Sequence, residues 1–301
     1  MSATLVAPAL APAPALTHAQ LVPGHLVHRR WLSDVLVTEA YSTGRETFLA
    51  GAQWPRNHRL LGRTRQVDPA LVAEIVRQLA IYLAHTAFGV PLDAAFLMPS
   101  MRLSTAARTV QTGEAISIHA RVVDVRRSAR GVSAFTLEAT FEDGDGAVGQ
   151  AVAAARIIDR RTYQRTRNGR TPVTPRVDGP SRRGGLDLLA PTDRAGVSLL
   201  VVDTGEPAWF DHPLDHVPGM LLLSAAQQAV SAAGGPGDLS TMELVYDAVV
   251  ELDEPCTVTV TDDGDTWRVS FEQSGAVSTS AVLRGRSEPS RRVTPTHVTA
   301  G

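Results

Sequence analysis

The sequence predicts an α+β protein in which one unit occurs twice: a long buried helix wrapped by an antiparallel sheet. Three observations predict this plan. Mostly apolar helical patterns lie at residues 67–89 and 218–233. Runs of alternating apolar and polar residues accompany both of them. A segment at 159–190, rich in arginine, proline and glycine, separates the units and predicts a linker. We therefore expect two tandem domains that form a pseudo-dimer within one chain.

The first helix has clear start and stop signals. Asp68 suits the N-cap, Pro69 suits the first turn and Gly89 suits the end. Apolar side chains lie almost all round this helix, so we expect it to be buried on most sides. The predicted strands of the first unit span residues 115–125, 133–143 and 146–158.

The second unit repeats the plan in a shorter form. Its helix follows the Pro218-Gly219 pair and ends before two consecutive glycines. Its predicted strands span residues 196–203, 242–252, 256–263, 266–273 and 276–285. The expected boundaries are a disordered tail at 1–23, a first domain at 24–158, the linker at 159–190, a second domain at 191–290 and a tail at 291–301.

The composition argues against several classes of protein. A net charge of −2 gives no basis for a nucleic-acid binder, and no apolar run reaches the roughly 18 residues that span a bilayer. The N-terminus lacks the positive region of a signal peptide. A single cysteine, Cys256, permits no intrachain disulfide and favours a reducing cytoplasm. We find no metal-ligand spacing, dinucleotide fingerprint or phosphate-binding glycine loop, so we expect no metal and no cofactor.

The two helices align residue by residue. “PALVAEIVRQLA” at 69–80 lies over “PGMLLLSAAQQAV” at 218–230 with one extra residue near the start. The aligned polar pairs are Glu74 with Ser224, Arg77 with Gln227 and Gln78 with Gln228. The three polar residues of the first helix share one face, and a charged pair in an apolar helix is costly unless it is satisfied. They form either a structural ion pair that locks the two halves together or a functional site between them.

Several motifs together resemble one family. They are “LVHRRWLSDVLVT” (26–38), “DPALVAEIVRQLAIYLAHTAFGVP” (68–91), “FLM” (96–98), “YQRTR” (163–167) and “DHVPGMLLL” (215–223). The chain resembles the A-factor biosynthesis hotdog family, the AfsA-type γ-butyrolactone synthases, over nearly its whole length. The stretch “EPAWFDHPLDHVPGMLLLSAAQQA” (206–229) also resembles the signature of 3-hydroxyacyl carrier protein dehydratases.

The family resemblance implies two tandem hotdog domains and an acyltransferase of actinomycete signalling. Such an enzyme joins a β-ketoacyl group, carried as a thioester on acyl carrier protein, to dihydroxyacetone phosphate. The ester then cyclises to a butenolide phosphate, the precursor of a γ-butyrolactone-type signal that controls antibiotic production. The implied partners are acyl carrier protein and the triose phosphate. We expect no nucleic acid and no membrane, in a monomeric pseudo-dimer or a homodimer.

The family usually carries E-x-x-R-Q on both helices, and only the first helix keeps it here. We therefore expect one functional site and one degenerate site. In the functional site Glu74 could act as a general base, and Arg77 could hold a phosphate or an enolate oxygen. In the related dehydratases a histidine before one helix works with the glutamate of the other domain. By that resemblance His212 or His216 would face Glu74.

The remaining candidates belong to the same expected interface. The helix N-terminus at Gly219 offers backbone N–H groups to a thioester carbonyl, although a Pro-Gly pair also simply starts a helix tightly. The candidate substrate-binding residues are Gln78, Ser224, Gln227, His58, Arg165 and Arg167. His58 would pair with Ser224 in the degenerate site. The two arginines belong either to an anion-attracting patch or to a solvated connector. We assign His28 to packing or orientation, and we expect Cys256 to be inert.

Two other functions stay open from the sequence. One is a hotdog dehydratase or thioesterase that acts on acyl carrier protein without a triose phosphate. The other is a non-catalytic acyl-ligand-binding paralogue, which the replaced glutamate and arginine of the second helix favour.

Overall fold

The protein contains three α-helices and twelve strands within the part of the chain that the computed structural model describes, residues 15–55, 67–109, 113–129, 131–174, 187–207 and 209–286. The helices are α1 (Pro69–Thr86), α2 (Arg160–Thr166) and α3 (Gly219–Ala232). The strands of the first half are β1 (Val37–Ser42), β2 (Thr47–Gln53), β3 (Ala95–Thr105), β4 (Ala115–Ser128), β5 (Gly131–Asp143) and β6 (Gly146–Ile158). Those of the second half are β7 (Leu189–Pro191), β8 (Val197–Leu200), β9 (Leu239–Tyr246), β10 (Thr257–Asp262), β11 (Trp267–Gln273) and β12 (Ala276–Gly285).

All twelve strands form one sheet in the order β1-β2-β4-β5-β6-β3-β9-β12-β11-β10-β8-β7. The two halves meet where β3 pairs antiparallel with β9, with Met101 opposite Leu244. The helices α1 and α3 pack against each other and against strands of the sheet. This arrangement confirms the predicted α+β architecture, in which two like halves form a pseudo-dimer.

The long helix α1 begins as the sequence predicts. The Asp68 carboxylate accepts a hydrogen bond of 2.8 Å from the backbone N–H of Ala70, and Pro69 occupies the first helical position. The chain leaves the helix at Ala87, and Gly89 takes a left-handed conformation with φ +65° that favours glycine. The predicted cap and stop are both confirmed.

Alternation along the strands sets the core. On β4 and β5 the residues predicted to point inward are buried, among them Ile116, Ile118, Phe135 and Leu137. The strand predicted at 242–252 is too long, since β9 ends at Tyr246. Beyond it the chain turns towards the start of α3, where the Val250 carbonyl accepts the backbone N–H of Val217.

Parts of the expected tail and linker are structured. The Val22 side chain is buried, and its backbone N–H donates to the Val37 carbonyl of β1. The expected linker begins with α2, whose Asp159 cap accepts the backbone N–H of Thr162 at 3.1 Å. Polar composition predicted irregular chain here, but hydrogen bonds to Asp215, before α3, and to Glu251, after β9, hold this helix in place. None of the helices in the described ranges is long and apolar enough to cross a bilayer.

Candidate functional site

A buried carboxylate on α1 forms the centre of a charged network. Glu74 is fully buried (0% exposed) and its Oε1 accepts hydrogen bonds from Arg29 at 2.9 Å, from Arg77 at 2.8 Å and from Gln78 at 2.7 Å. Its Oε2 accepts a further bond of 2.9 Å from Arg77. The spacing i, i+3 and i+4 on α1 brings Arg77 and Gln78 to the carboxylate, as predicted.

The arginines keep Glu74 ionised. Burial alone would raise the pKa of the carboxyl, but the charges of Arg29 and Arg77, with the hydrogen bonds from Arg77 and Gln78, hold that pKa well below its usual range. A carboxylate saturated by such donors is a weak proton acceptor. Its geometry suits it to hold two guanidinium groups in fixed positions.

The network continues into the second half of the chain. Asp211 lies 3.5 Å from the Arg29 guanidinium, and its Oδ2 accepts the backbone N–H of Arg30 at 3.1 Å. The other oxygen of Asp211 lies 2.5 Å from Nδ1 of His212. Glu74 and His212 are therefore connected through Arg29 and Asp211. Neither His212 nor His216 forms a hydrogen bond with Glu74, and the link from Glu74 to His212 runs through two residues that the sequence did not single out.

Access to solvent differs along this network. The side chain of His212 is 42% exposed and that of Arg77 is 17% exposed, whereas Glu74 is sealed. Because Nδ1 of His212 is engaged by Asp211, its Nε2 is the nitrogen left for a ligand. The hydrogen bond from His212 and the charge of Arg29 outweigh burial and lower the pKa of Asp211, which stays ionised.

A second polar cluster joins α2 to the entry of α3. Asp215 lies 2.6 Å from Nδ1 of His216 and accepts hydrogen bonds from the Tyr163 hydroxyl at 2.7 Å and from Arg167 at 2.9 Å. Arg167 also forms two hydrogen bonds with Glu251, at 2.8 and 2.5 Å. Burial would raise the pKa of Asp215, but these three donors lower it, while burial and the Asp215 bond raise the pKa of Tyr163. The motifs “YQRTR” and “DHVPG” therefore meet in this cluster.

The other predicted residues have diverse surroundings. Gly219 begins α3, and a Cβ at this position would lie 3.3 Å from the Tyr246 ring, whose hydroxyl donates to the Gly219 carbonyl at 3.1 Å. Arg165 is exposed and donates to its helix neighbour Thr162. Ser224 is half-buried on α3. His58 lies outside the described residues.

The helices show both the internal symmetry and its loss. Gln78 accepts the backbone N–H of Leu36 at 2.8 Å, and Gln228 accepts that of Leu188 at 2.9 Å. Gln227, aligned with Arg77, instead lies 3.4 Å from Asp68 at the start of α1. The glutamines keep equivalent structural contacts in both halves, whereas the charged network is built on α1.

Sequence reasoning missed several members of these clusters. They are Arg29, Asp211, Tyr163, Asp215 and Glu251. The repeated Asp-His pair in “DHPLDH” was a visible signal for the two carboxylate–imidazole contacts. No local pattern linked Arg29 to Glu74, because their contact depends on how the N-terminal segment packs on α1.

A buried helix wrapped by antiparallel strands, present in both halves of one continuous sheet, defines a tandem hotdog protein with a charged network at the junction. The sequence matches the A-factor biosynthesis hotdog domain over residues 10–159 and 188–287. The chain belongs to that family.

Named relatives cover almost the whole chain. A 2-oxo-3-(phosphooxy)propyl 3-oxoalkanoate synthase of Streptomyces virginiae is 31% identical over 290 residues, covering 89% of this chain and 99% of that protein. A synthase of the same name from Streptomyces griseus is 30% identical over 283 residues, covering 86% of this chain and 94% of that protein.

Solved structures support the fold. An acyl-ACP thioesterase from Bacteroides thetaiotaomicron has a TM-score of 0.54 and 12% identity, covering 81% of this chain and 99% of that one. A 12:0-ACP thioesterase from Umbellularia californica has a TM-score of 0.52 and 12% identity, covering 82% of this chain and all of that one (100%). At such identity the likeness extends to the architecture alone.

Proposed function

We propose that this protein is a 2-oxo-3-(phosphooxy)propyl 3-oxoalkanoate synthase, which transfers a 3-oxoacyl group from a thioester to dihydroxyacetone phosphate. The observation that carries this proposal is the network in which Glu74 holds two arginines beside the partly exposed His212. An anion-binding guanidinium and an imidazole at one junction fit a phosphorylated alcohol as the acyl acceptor. The names of the relatives supply the reaction.

Arg77 is the proposed phosphate ligand. Its Nε and Nη2 donate to Glu74, and Nη2 also lies 3.3 Å from the Val27 carbonyl, while no described residue forms a hydrogen bond with its Nη1. Arg29 is more fully engaged, by Glu74 and Asp211. Glu74 then acts as a positioning residue: it fixes the guanidinium of Arg77 without neutralising every donor.

His212 is the proposed proton carrier. Its Nε2 takes the proton of the triose hydroxyl as the hydroxyl oxygen attacks the thioester carbonyl, and a tetrahedral oxyanion forms. The carbon–sulfur bond then breaks, and the imidazolium returns the proton to the departing thiolate. Asp211 holds the ring and stabilises its charged form, as a carboxylate does in other acyl-transfer sites. The backbone N–H groups at Gly219 are the proposed donors to the oxyanion.

The second cluster has a structural role in this proposal. His216 and Arg167 are tied to Asp215, and together they fasten α2 onto the entry of α3. Arg165 remains a candidate contact for an acidic acyl carrier protein, because it is exposed on the same helix. One site per chain follows from the asymmetry, because Ser224 and Gln227 supply neither a carboxylate nor a guanidinium.

A cleft near the end of α1 is the proposed place for the acyl chain. It has a volume of about 1250 Å³, and its apolar lining includes Phe88, Val132, Phe135 and Ile157. Its lining also includes Val90, whose carbonyl contacts His85 of α1. Apolar walls of this kind favour a hydrocarbon chain over water.

The expected ester has an acidic methylene between two carbonyl carbons and a ketone in the triose part. Attack of that methylene carbon on the ketone closes a five-membered lactone, and loss of water gives a butenolide phosphate. A product of this kind fits the biosynthesis of a γ-butyrolactone-type signal.

Mass spectrometry of the purified protein with a 3-oxoacyl thioester tests the proposal. We expect the phosphorylated ester or its butenolide when dihydroxyacetone phosphate is added, and neither without it. Release of the free 3-oxo acid regardless of the triose phosphate would instead indicate a thioesterase. Bound thioester without turnover would indicate a non-catalytic binder.

A matched pair of variants tests the site. Arg77→Gln gives α1 the side chain that α3 has at the aligned position, and we expect about a 10- to 100-fold loss of rate because charge-assisted hydrogen bonds to phosphate are lost. Gln227→Ala is the control, with the rate within about twofold of the parent, because a hydrogen bond as long as 3.4 Å contributes little. Equal losses in both variants would contradict the assignment to α1.

A further inference from the structure

His28 occupies an unusual position beside the proposed site. It ends a short 3-10 turn at Gly24–Val27 in a left-handed conformation, with φ 52° and ψ 47°. This turn places His28 next to Arg29, the arginine that binds Glu74. The His28 ring packs edge-on against Phe96, and its Nε2 lies 3.0 Å from Nε2 of His85.

The hydrogen bonds of this histidine pair fix their protons. Nδ1 of His85 lies 2.8 Å from the Val90 carbonyl, which can only accept, so this nitrogen carries a proton. In a neutral His85 ring the Nε2 is then an acceptor, and Nε2 of His28 must donate to it. Nδ1 of His28 therefore carries a lone pair.

That lone pair is open to a ligand. No described residue forms a hydrogen bond with Nδ1 of His28. The side-chain atoms that lack a partner and are sealed from solvent do not include this nitrogen, so it is accessible to solvent. The ionisable groups that influence the ring electrostatically are His85 and Arg77 of α1 and the Asp211–His212 pair before α3. The carbonyl of Val27, the residue before His28, accepts a hydrogen bond of 3.3 Å from Arg77, so His28 lies beside the proposed phosphate ligand.

The surroundings keep His28 neutral in the unliganded protein. Burial, with the neighbouring His85, Arg77 and His212, lowers the pKa of His28 to about 3, and Asp211 opposes this only in part. A dianion beside the same groups has the opposite effect, because it attracts a proton to the nearest unprotonated nitrogen.

We propose that His28 is a proton-coupled phosphate ligand: when a phosphoryl dianion binds beside Arg77, Nδ1 of His28 takes one proton from solvent and donates it in a hydrogen bond to the anion. This inference rests on the proposed function for the identity of the phosphate ester. It assigns to His28 a binding role in place of simple packing. The Nε2–H bond to His85 keeps the ring in position in both protonation states.

Isothermal titration calorimetry in buffers of different ionisation enthalpy measures this coupling. The probes are dihydroxyacetone phosphate and sulfate, because sulfate remains a dianion throughout and takes no proton itself. We expect about one proton to be taken up for each anion that binds. We also expect the affinity for sulfate to rise by up to about tenfold per pH unit once the pH is below the pKa that His28 has in the complex.

Two variants isolate His28. His28→Gln keeps an amide donor towards His85. If His28→Gln does not fold, His28→Asn replaces it, because asparagine suits the left-handed backbone at this position. We expect either variant to lose the proton uptake and the pH dependence, and to bind sulfate about 10- to 100-fold more weakly at low pH. His212→Gln is the control and keeps the coupling.

Undiminished proton uptake in a folded His28 variant, or its loss in His212→Gln instead, would overturn the proposal. Sulfate that binds the parent without proton uptake would overturn it as well. Because these measurements need no acyl thioester, they are independent of the synthase assay. A protein that makes no ester could still show the coupling, and a synthase could lack it.

Discussion

Glu74→Gln separates an organising carboxylate from a catalytic base. The substitution keeps the size of the side chain and removes its charge. In the parent, both carboxylate oxygens accept hydrogen bonds from arginines whose side chains are only 9% and 17% exposed. The variant leaves Arg29 and Arg77 with an uncompensated positive charge in a mostly buried site.

The expected cost is large. Removal of one partner from a buried ion pair costs about 3–5 kcal/mol. For a chain of this size each kcal/mol corresponds to roughly 2–4 °C in Tm, so we expect Tm to fall by about 6–20 °C. A residue that served only as a base would lose rate at unchanged stability.

Differential scanning calorimetry measures the effect, with Ser224→Ala as the matched control at the aligned position of α3. We expect the control to stay within about 0.5 kcal/mol of the parent, because Ser224 is half-buried and uncharged. A Tm for Glu74→Gln within 2 °C of the parent (roughly 1 kcal/mol or less) would refute the reasoning that this carboxylate holds the arginines.

The remaining predictions concern stability and pH. Arg167→Ala should destabilise the fold by about 3–5 kcal/mol in urea denaturation because it strips partners from two carboxylates, whereas exposed Arg165→Ala should stay within about 0.5 kcal/mol. Gly219→Ala should cost about 1 kcal/mol, because its Cβ presses on the Tyr246 ring, and a stability gain would contradict this contact. Because the pKa of His28 is about 3 when folded and 6.5 when unfolded, the unfolded chain binds the proton first, so stability falls as pH drops below 6.5. His28→Asn should reduce the dependence of unfolding free energy on pH by about 1 kcal/mol per pH unit between pH 6 and 5, measured by urea denaturation. An unchanged dependence would count against the low pKa of His28.

The sequence predicted the repeated elements of the fold well. Helix periodicity and the Asp68 cap located α1, and alternation located β4, β5 and β6 to within a few residues. The pairing of β3 with β9 was not visible, because strand partners distant in sequence depend on how two separate units dock. The helix α2 was missed because its position depends on buried contacts of Arg167 and not on its own apolar face.

The candidate site was predicted in part. The i, i+3, i+4 spacing brought Glu74, Arg77 and Gln78 together, whereas His212, one of the two histidines that the dehydratase resemblance placed opposite Glu74, is reached only through Arg29 and Asp211. The direction of the Glu74 pKa depended on Arg29, which approaches from a turn 45 residues earlier in the chain. Competing effects of burial and charge on one carboxyl cannot be weighed until every neighbour is known.

A comparison of two single variants with their double variant tests most directly whether one site is built from both halves. Arg77→Gln alters the first half and His212→Gln alters the second, and the rate of ester formation is measured for each. We expect the rate of each single variant to fall about 10-fold or more. We expect the rate of the double variant to fall by much less than the two losses multiplied together, because groups that share one site act as a unit. Single variants that each keep about half of the parental rate, with activity abolished only in the double variant, would show two independent sites and contradict a shared one.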